Sequence, residues 1–154
     1  MHYLLSIFFS VAGKVKVVEV LVKYGADVNS VSDTGSTPVR SACFMTHLDI
    51  VRLLVSNKAD IQKPNHNGGT CLINSVQSVE LCKFLLENGA NVNAEDIQNK
   101  TALHYAIQEH RSETTKLLLQ FKADPTILSK WGDDALQTSC LKVQKFFSFI
   151  AKFS

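Results

Sequence analysis

The sequence predicts an all-α solenoid, a row of stacked helix-turn-helix units from which hairpin loops project. Three recurring phrases predict it. YGADVN at 24–29 returns as NKADIQ, NGANVN and FKADPT, and its alanines, Ala26, Ala59, Ala90 and Ala123, stand 33, 31 and 33 residues apart. STPVR at 36–40 returns as GTCLI, KTALH and DDALQ. Between the two lies an apolar helix that ends in LVKYG, LLVSN, LLENG or LLLQF. Three phrases held in one order through four repetitions mean one structural unit copied along the chain.

The units follow in order. Residues 1–34 make an atypical first unit with Gly13 at the turn between its helices, where the backbone wants a positive φ. In the unit at 35–67, Thr37 stands just before a short apolar helix, placed to cap free backbone N–H groups. Pro38 follows at the first helical position, where a missing N–H is harmless. The second helix of that unit carries Leu48, Val51, Leu54 and Val55 along one stripe. The units at 68–98 and 99–131 repeat the plan. Their caps are Thr70 and Thr101, and their stripes are Leu81, Phe84 and Leu85, then Leu117 and Leu118. A truncated unit fills 132–154 and completes a single domain over 1–154. A two-helix unit cannot bury such a stripe alone, so neighbours must stack.

Gly25 and Gly89 are placed as C-terminal caps of second helices. They lead into hairpins with tips near Asp33–Gly35, Asn65–Gly68, Gln98–Lys100 and Lys130–Asp133. At the turn inside each later unit, Thr46, Gln77, His110 and Val143 stand in place of glycine. A left-handed backbone costs a non-glycine residue about 1–2 kcal/mol, so these turns are strained or rebuilt. The 31-residue interval falls on the unit holding Cys71–Val79, which has lost two residues near the end of its first helix. That helix is expected to be little more than one turn.

Composition narrows the function. Of 154 residues 45% are apolar and 19% charged, with a net charge of +2. That balance belongs to a globular chain, and lysines and arginines spread along helices make no nucleic-acid stripe. Cys43, Cys71, Cys82 and Cys140 form no CxxC pair and have no histidines at zinc spacing. Each lies in an apolar helical stretch as a small hydrophobe, reduced, which points to the cytosol or nucleus. The N-terminal run MHYLLSIFFS has no Lys or Arg before it. No stretch reaches the ~18–20 apolar residues of a membrane span. Ser139-Cys140 has no identifiable base, and no glycine-rich phosphate loop occurs. No catalytic residue, cofactor or metal is expected.

The spacing and the phrases resemble ankyrin repeats, whose period is about 33 residues. The resemblance implies a protein-binding module. It places His47 and His104 where ankyrin histidines hydrogen-bond between turns and repeats. Phe8 and Phe9 fall where first helices carry two alanines. Phe146, Phe147, Phe149, Ile150 and Phe153 leave the last helix apolar on nearly every side, whereas a terminal repeat needs a polar outer face. The chain therefore reads as a piece of a longer protein or a truncated isoform.

The phrases GSTPVRSACFMTHLDIVRLLV, VAGKVKVVEVLVKYGADVN, GGTCLINSV and NKTALHYAI resemble the feminisation (Fem) family of ankyrin proteins, over roughly Val11 to Lys142. That resemblance implies a substrate receptor of a cullin-RING ubiquitin ligase, whose N-terminal repeats grip the C-terminal tail of a target protein. The ligase adaptor and the cullin would bind through regions absent from this chain. The family's pocket lies on the concave side around STPxRxACFDGH, matched here by Ser36, Arg40 and Phe44. Met45 stands where an acid would meet a basic tail, Thr46 replaces the glycine, and Ile7 aligns with an upstream tryptophan. The expected site is thus Ser36, Arg40, Phe44 and Met45 on the concave face, with His66, Asn67 and Trp131 at hairpin tips. Trp131 is of the residue type most enriched at binding hot spots. The other reading is a general ankyrin scaffold with an unrelated protein partner.

Overall fold

The computed structural model describes residues 14–137. They form α1 (Val15–Lys23), α2 (Pro38–Phe44), α3 (Leu48–Ser56), α4 (Cys71–Asn74), α5 (Val79–Glu87), α6 (Ala102–Gln108) and α7 (Ser112–Gln120). No strand occurs among the described residues. Helices pair in sequence, α2 with α3, α4 with α5 and α6 with α7, and the first helices α2, α4 and α6 stack side by side. The second helices follow suit where α1 meets α3 and α5 meets α7. Leu54, Leu72, Leu81, Leu85, Leu103 and Leu118 are fully buried along this stack, as their helical spacing predicts. Phe84 is only half-buried, with the Arg52 guanidinium 4.7 Å above its ring.

The expected caps form. Thr37 and Thr70 accept hydrogen bonds from the backbone N–H groups of Arg40 and Ile73, each at 3.3 Å. Thr101 goes further. Its own N–H donates to Nδ1 of His104 at 3.2 Å, which makes a reciprocal capping box. Gly25 and Gly89 end their helices at φ +81° and +85°. Lys58 and Lys122 take the same place after α3 and α7 at φ +66° and +64°, a cost the sequence does not advertise.

The turns inside the units divide into two kinds. Thr46 and His110 both sit at φ +57°, so these turns keep the glycine conformation and carry its strain. Gln77 does not, because its turn is rebuilt around the four-residue helix α4. Ser78 N–H donates to the Ser75 carbonyl at 2.9 Å, and the Cys82 thiol donates to the same oxygen at 3.1 Å. The next carbonyl, of Val76, accepts from the buried hydroxyl of Thr114 at 2.9 Å. Two lost residues therefore leave no orphaned carbonyl at either position, which a buried backbone requires. Ile7, Phe8, Phe9, Gly13, Cys140, Val143, Phe146, Phe147, Phe149, Ile150 and Phe153 lie outside the described residues.

Hairpins join the repeats on one side. Each closes with a pair of backbone bonds, as where Gly68 N–H donates to Asn65 O at 2.9 Å and Asn65 N–H to Gly69 O at 3.1 Å. Successive tips then link to one another. His66, Ile97 and Lys130 donate their N–H groups to the carbonyls of Thr34, Asn67 and Gln98 at 3.1, 3.1 and 2.8 Å. Below the tips, Asn29, Gln62 and Asn93 accept from the backbone N–H of Asp60, Asn91 and Asp124 one repeat further on.

His104 gives the fold a pH dependence. Burial holds its pKa below the ordinary histidine value and Lys100 adds to this, while backbone groups of Asp133 and Ile127 oppose it. Above about pH 6.5 both folded and unfolded chains carry a neutral ring. Below it the unfolded chain takes up a proton that the folded one resists, so stability falls as pH drops through that value. Urea midpoints are expected to decline from pH 7.5 to 5.5 more steeply in the wild type than in His104→Gln. Equal slopes would contradict this.

Candidate functional site

The phrase STPVRSACF folds as the entry to α2, and the structure sorts its residues by depth. Ser36 is only 8% exposed, and its Oγ accepts from an Arg40 terminal nitrogen at 2.7 Å. Arg40 Nε donates to the Gly69 carbonyl at 2.8 Å, and the Asn74 amide, its oxygen assigned to the side that faces donors, accepts from Nε and the other terminal nitrogen at 3.2 and 3.0 Å. Burial pulls the guanidinium's pKa below its ordinary value. Ser36 and Arg40 thus join two repeats, and the hydroxyl of Ser36 holds the guanidinium rather than facing solvent. Phe44 and Met45 are different, 69% and 42% exposed.

Arg40 and Phe44 open onto a recess of about 410 Å³. It is lined also by Asn74 at the end of the short α4, Gln77 in the turn beyond it, Tyr105 of α6 and Glu109 just after α6. Asn67 and Asp96 close the side that the hairpins form. The lining includes the short helix: α2 and α6 have seven residues where α4 has four. Asp96 is held firmly. It accepts from the Tyr105 hydroxyl and, at 2.8 and 3.0 Å, from the backbone N–H of Gln98 and Lys100. Burial, then the Asp96 hydrogen bond, raises the Tyr105 pKa above its ordinary value.

Of the expected site residues, Arg40, Phe44 and Asn67 meet at this recess, while Ser36 and Met45 do not line it. His66 is exposed, with its ring against Gly35 of the preceding tip. Trp131 is 62% exposed, and Lys100 of the neighbouring loop sets its ammonium 5.2 Å from that ring and 5.6 Å from the ring of Tyr105. Asn74, Gln77, Asp96, Tyr105 and Glu109 are the residues that sequence reasoning missed. One signal was present: Glu109 follows Thr101 at the same interval as Met45 follows Thr37. Position 109 thus carries an acid where position 45 carries methionine.

The chemistry of the other polar groups is structural. Cys43, Cys71 and Cys82 are buried free thiols. A hydrogen bond with Cys43, then burial, keeps the Cys71 thiol protonated far above its usual range, and burial pushes Cys82 up to about 12. Such thiols are poor nucleophiles. His47 and His104 depart from their expected role, for the Nε2 of each is buried with no hydrogen-bond partner among the described residues, and His104 bonds only through Nδ1 to Thr101 of its own cap. Within the same residues no group of three or more His, Cys, Asp or Glu side chains is disposed to hold a metal. No helix there is long and apolar enough to cross a membrane.

Stacked helix pairs with linked hairpins and a cross-repeat recess define a helical repeat protein built for binding. The sequence profile of ankyrin repeats matches residues 4–65 and 61–129. The chain belongs to the ankyrin-repeat family, and is a protein-binding module of that kind. It is 42% identical over 78 residues to an ankyrin repeat protein, L92, of Acanthamoeba polyphaga mimivirus, covering 49% of this chain and 19% of the relative. It is 31% identical over 137 residues to the transient receptor potential channel pyrexia of Drosophila melanogaster, covering 84% and 14%. With the ankyrin repeat and SOCS box protein 6 of Pongo abelii it shares 33% identity over 132 residues, covering 79% and 31%. The chain thus spans less than a third of the length of each of these relatives.

Proposed function

We propose that this chain is the target-recognition part of a Fem-like substrate receptor of a cullin-RING ubiquitin ligase, holding the C-terminal tail of a target protein in the cytosol or nucleus. The carrying observation is the STPVRSACF phrase itself, whose Arg40 and Phe44 open onto a recess that spans three repeats. The likeness to a protein named for ankyrin repeats and a SOCS box lends support. Repeats at 35–67, 68–98 and 99–131 form the binding frame, with 1–34 and 132–154 at its ends. Adaptor and cullin would meet other parts of the full-length protein. A general ankyrin scaffold with an unrelated partner is the second reading, and the Met45-Thr46 departure favours it.

The test is fluorescence polarisation with peptides whose free C-terminal residue is varied. Wild type is expected to bind tails without preferring a final arginine. Met45→Asp, beside Phe44 and 42% exposed, is expected to gain a modest preference of that kind, since an exposed carboxylate–guanidinium pair is worth about 0.2–1 kcal/mol. Tight binding of arginine-ended tails by the wild type would refute the role given to Met45. If neither protein binds any tail, the scaffold reading replaces this one.

A further inference from the structure

We infer that the recess over the short helix α4 reads the backbone of an uncharged, extended peptide segment through the side-chain amides of Asn67 and Gln77, with Phe44 as the platform for an apolar side chain. The inference rests on the peptide-binding reading above, and concerns how the segment is held rather than how it ends.

Charge is the first argument. The three charged residues that line the recess, Arg40, Asp96 and Glu109, are each already engaged by groups of the chain. Arg40 is spent on Ser36, the Gly69 carbonyl and Asn74. Asp96 is spent on Tyr105 and two backbone N–H groups. Glu109 lies 3.7 Å from Arg111, and Lys100 donates to Gln108 at 3.3 Å. A charged occupant would have to compete with these partners and lose its own water. A neutral one has no such penalty.

The unmatched groups give the second argument. The side chains of Asn67 and Gln77 make no hydrogen bond among the described residues, and both line the recess. Each is a primary amide with donors and an acceptor side by side, which is the complement of a peptide group. They belong to different elements, Asn67 to a hairpin tip and Gln77 to the rebuilt turn. Amides from two separate elements suit an extended segment that passes both, whose free N–H and C=O groups can meet each in turn. A helix would offer them nothing, since its backbone groups are spent on itself. Phe44, exposed at one end of the recess, supplies the apolar contact.

The probe is a display library of random segments with fixed sequence on both sides, so that no segment has a free terminus. Selected ligands are expected to carry an apolar residue at one position and no net charge preference. Asn67→Ala and Gln77→Ala are each expected to weaken binding roughly threefold to tenfold, the range of one neutral hydrogen bond. Affinity is expected to change by less than about twofold when salt rises several-fold, since no exposed ion pair is formed. N-methylation of one backbone amide in the selected segment is expected to cost as much as either substitution. Both side chains are exposed and unbonded, so unchanged urea midpoints will report an intact fold. Ligands that are charged and salt-sensitive, ligands indifferent to both substitutions, or a library without binders would each overturn the inference. Binding of free tails in the preceding experiment would still leave the tail-recognition reading standing.

Discussion

Gly68→Ala is expected to destabilise the protein by about 3 kcal/mol or more, a loss found only where a defined feature is broken. Gly68 sits at φ +72°, and a Cβ there would lie 2.7 Å from Asp96 Cα and 2.9 Å from Asp96 C and Ile97 N. These are backbone atoms of the next hairpin and cannot rotate aside. They belong to the segment in which Ile97 N–H donates to Asn67 O and Asp96 accepts from Tyr105. The substitution therefore pries two repeats apart and adds the left-handed penalty of about 1–2 kcal/mol. Gly25→Ala is the comparison, since Gly25 has a similar φ of +81° and nothing within 4 Å of the added methyl. It is expected to lose only the backbone term. Urea unfolding of the two variants checks this, and equal losses would mean that the hairpins tolerate separation.

Leu85→Ala is expected to cost about 2–5 kcal/mol, the range for truncating a buried leucine. Leu85 is fully buried in α5, in the middle of the described stack, together with Leu81, Cys82 and Leu86. In a protein whose whole stability is of the order of 5–15 kcal/mol such a loss is large. A solenoid is held by nearest-neighbour interfaces, so damage in a middle unit uncouples the units on either side. The urea transition is expected to broaden as well as shift, with a smaller apparent m-value. Leu119→Ala, 47% exposed on α7, is expected to stay within about 0.5 kcal/mol of wild type. A sharp transition with an unchanged slope in Leu85→Ala would show that the stack unfolds as one body regardless.

The fold was legible because its determinants are local and copied. A threonine before each first helix, a leucine stripe and a hairpin phrase recur at one interval, so each copy corroborates the others. The rebuilt turn was legible only as a shortage of two residues. Its solution depends on Cys82 and Thr114, which lie in other helices and reveal nothing of their acceptors in sequence. The direction of Arg40 was hidden for a related reason. Its partners, Gly69 and Asn74, belong to the next repeat, and the side chain reads equally well as a ligand contact or a clamp. The recess combines residues from three repeats, and no one phrase holds them all. Phe44 and Asn67, both expected from the sequence, line the recess, whereas nothing in the sequence brought Gln77 to the same place.

The short turn after α4 also bears on how this surface can change over generations. Where Thr46 and His110 hold a left-handed backbone, each replacement there alters folding as well as any contact it makes. Gln77 has been released from that geometry, and its side chain supports nothing in the frame. Mutations at Gln77 can therefore explore new partners with little risk to the fold. A deletion that looks like damage has made one position at the recess free to drift, so related chains sharing this shortened turn should differ more at that position than at Thr46 or His110.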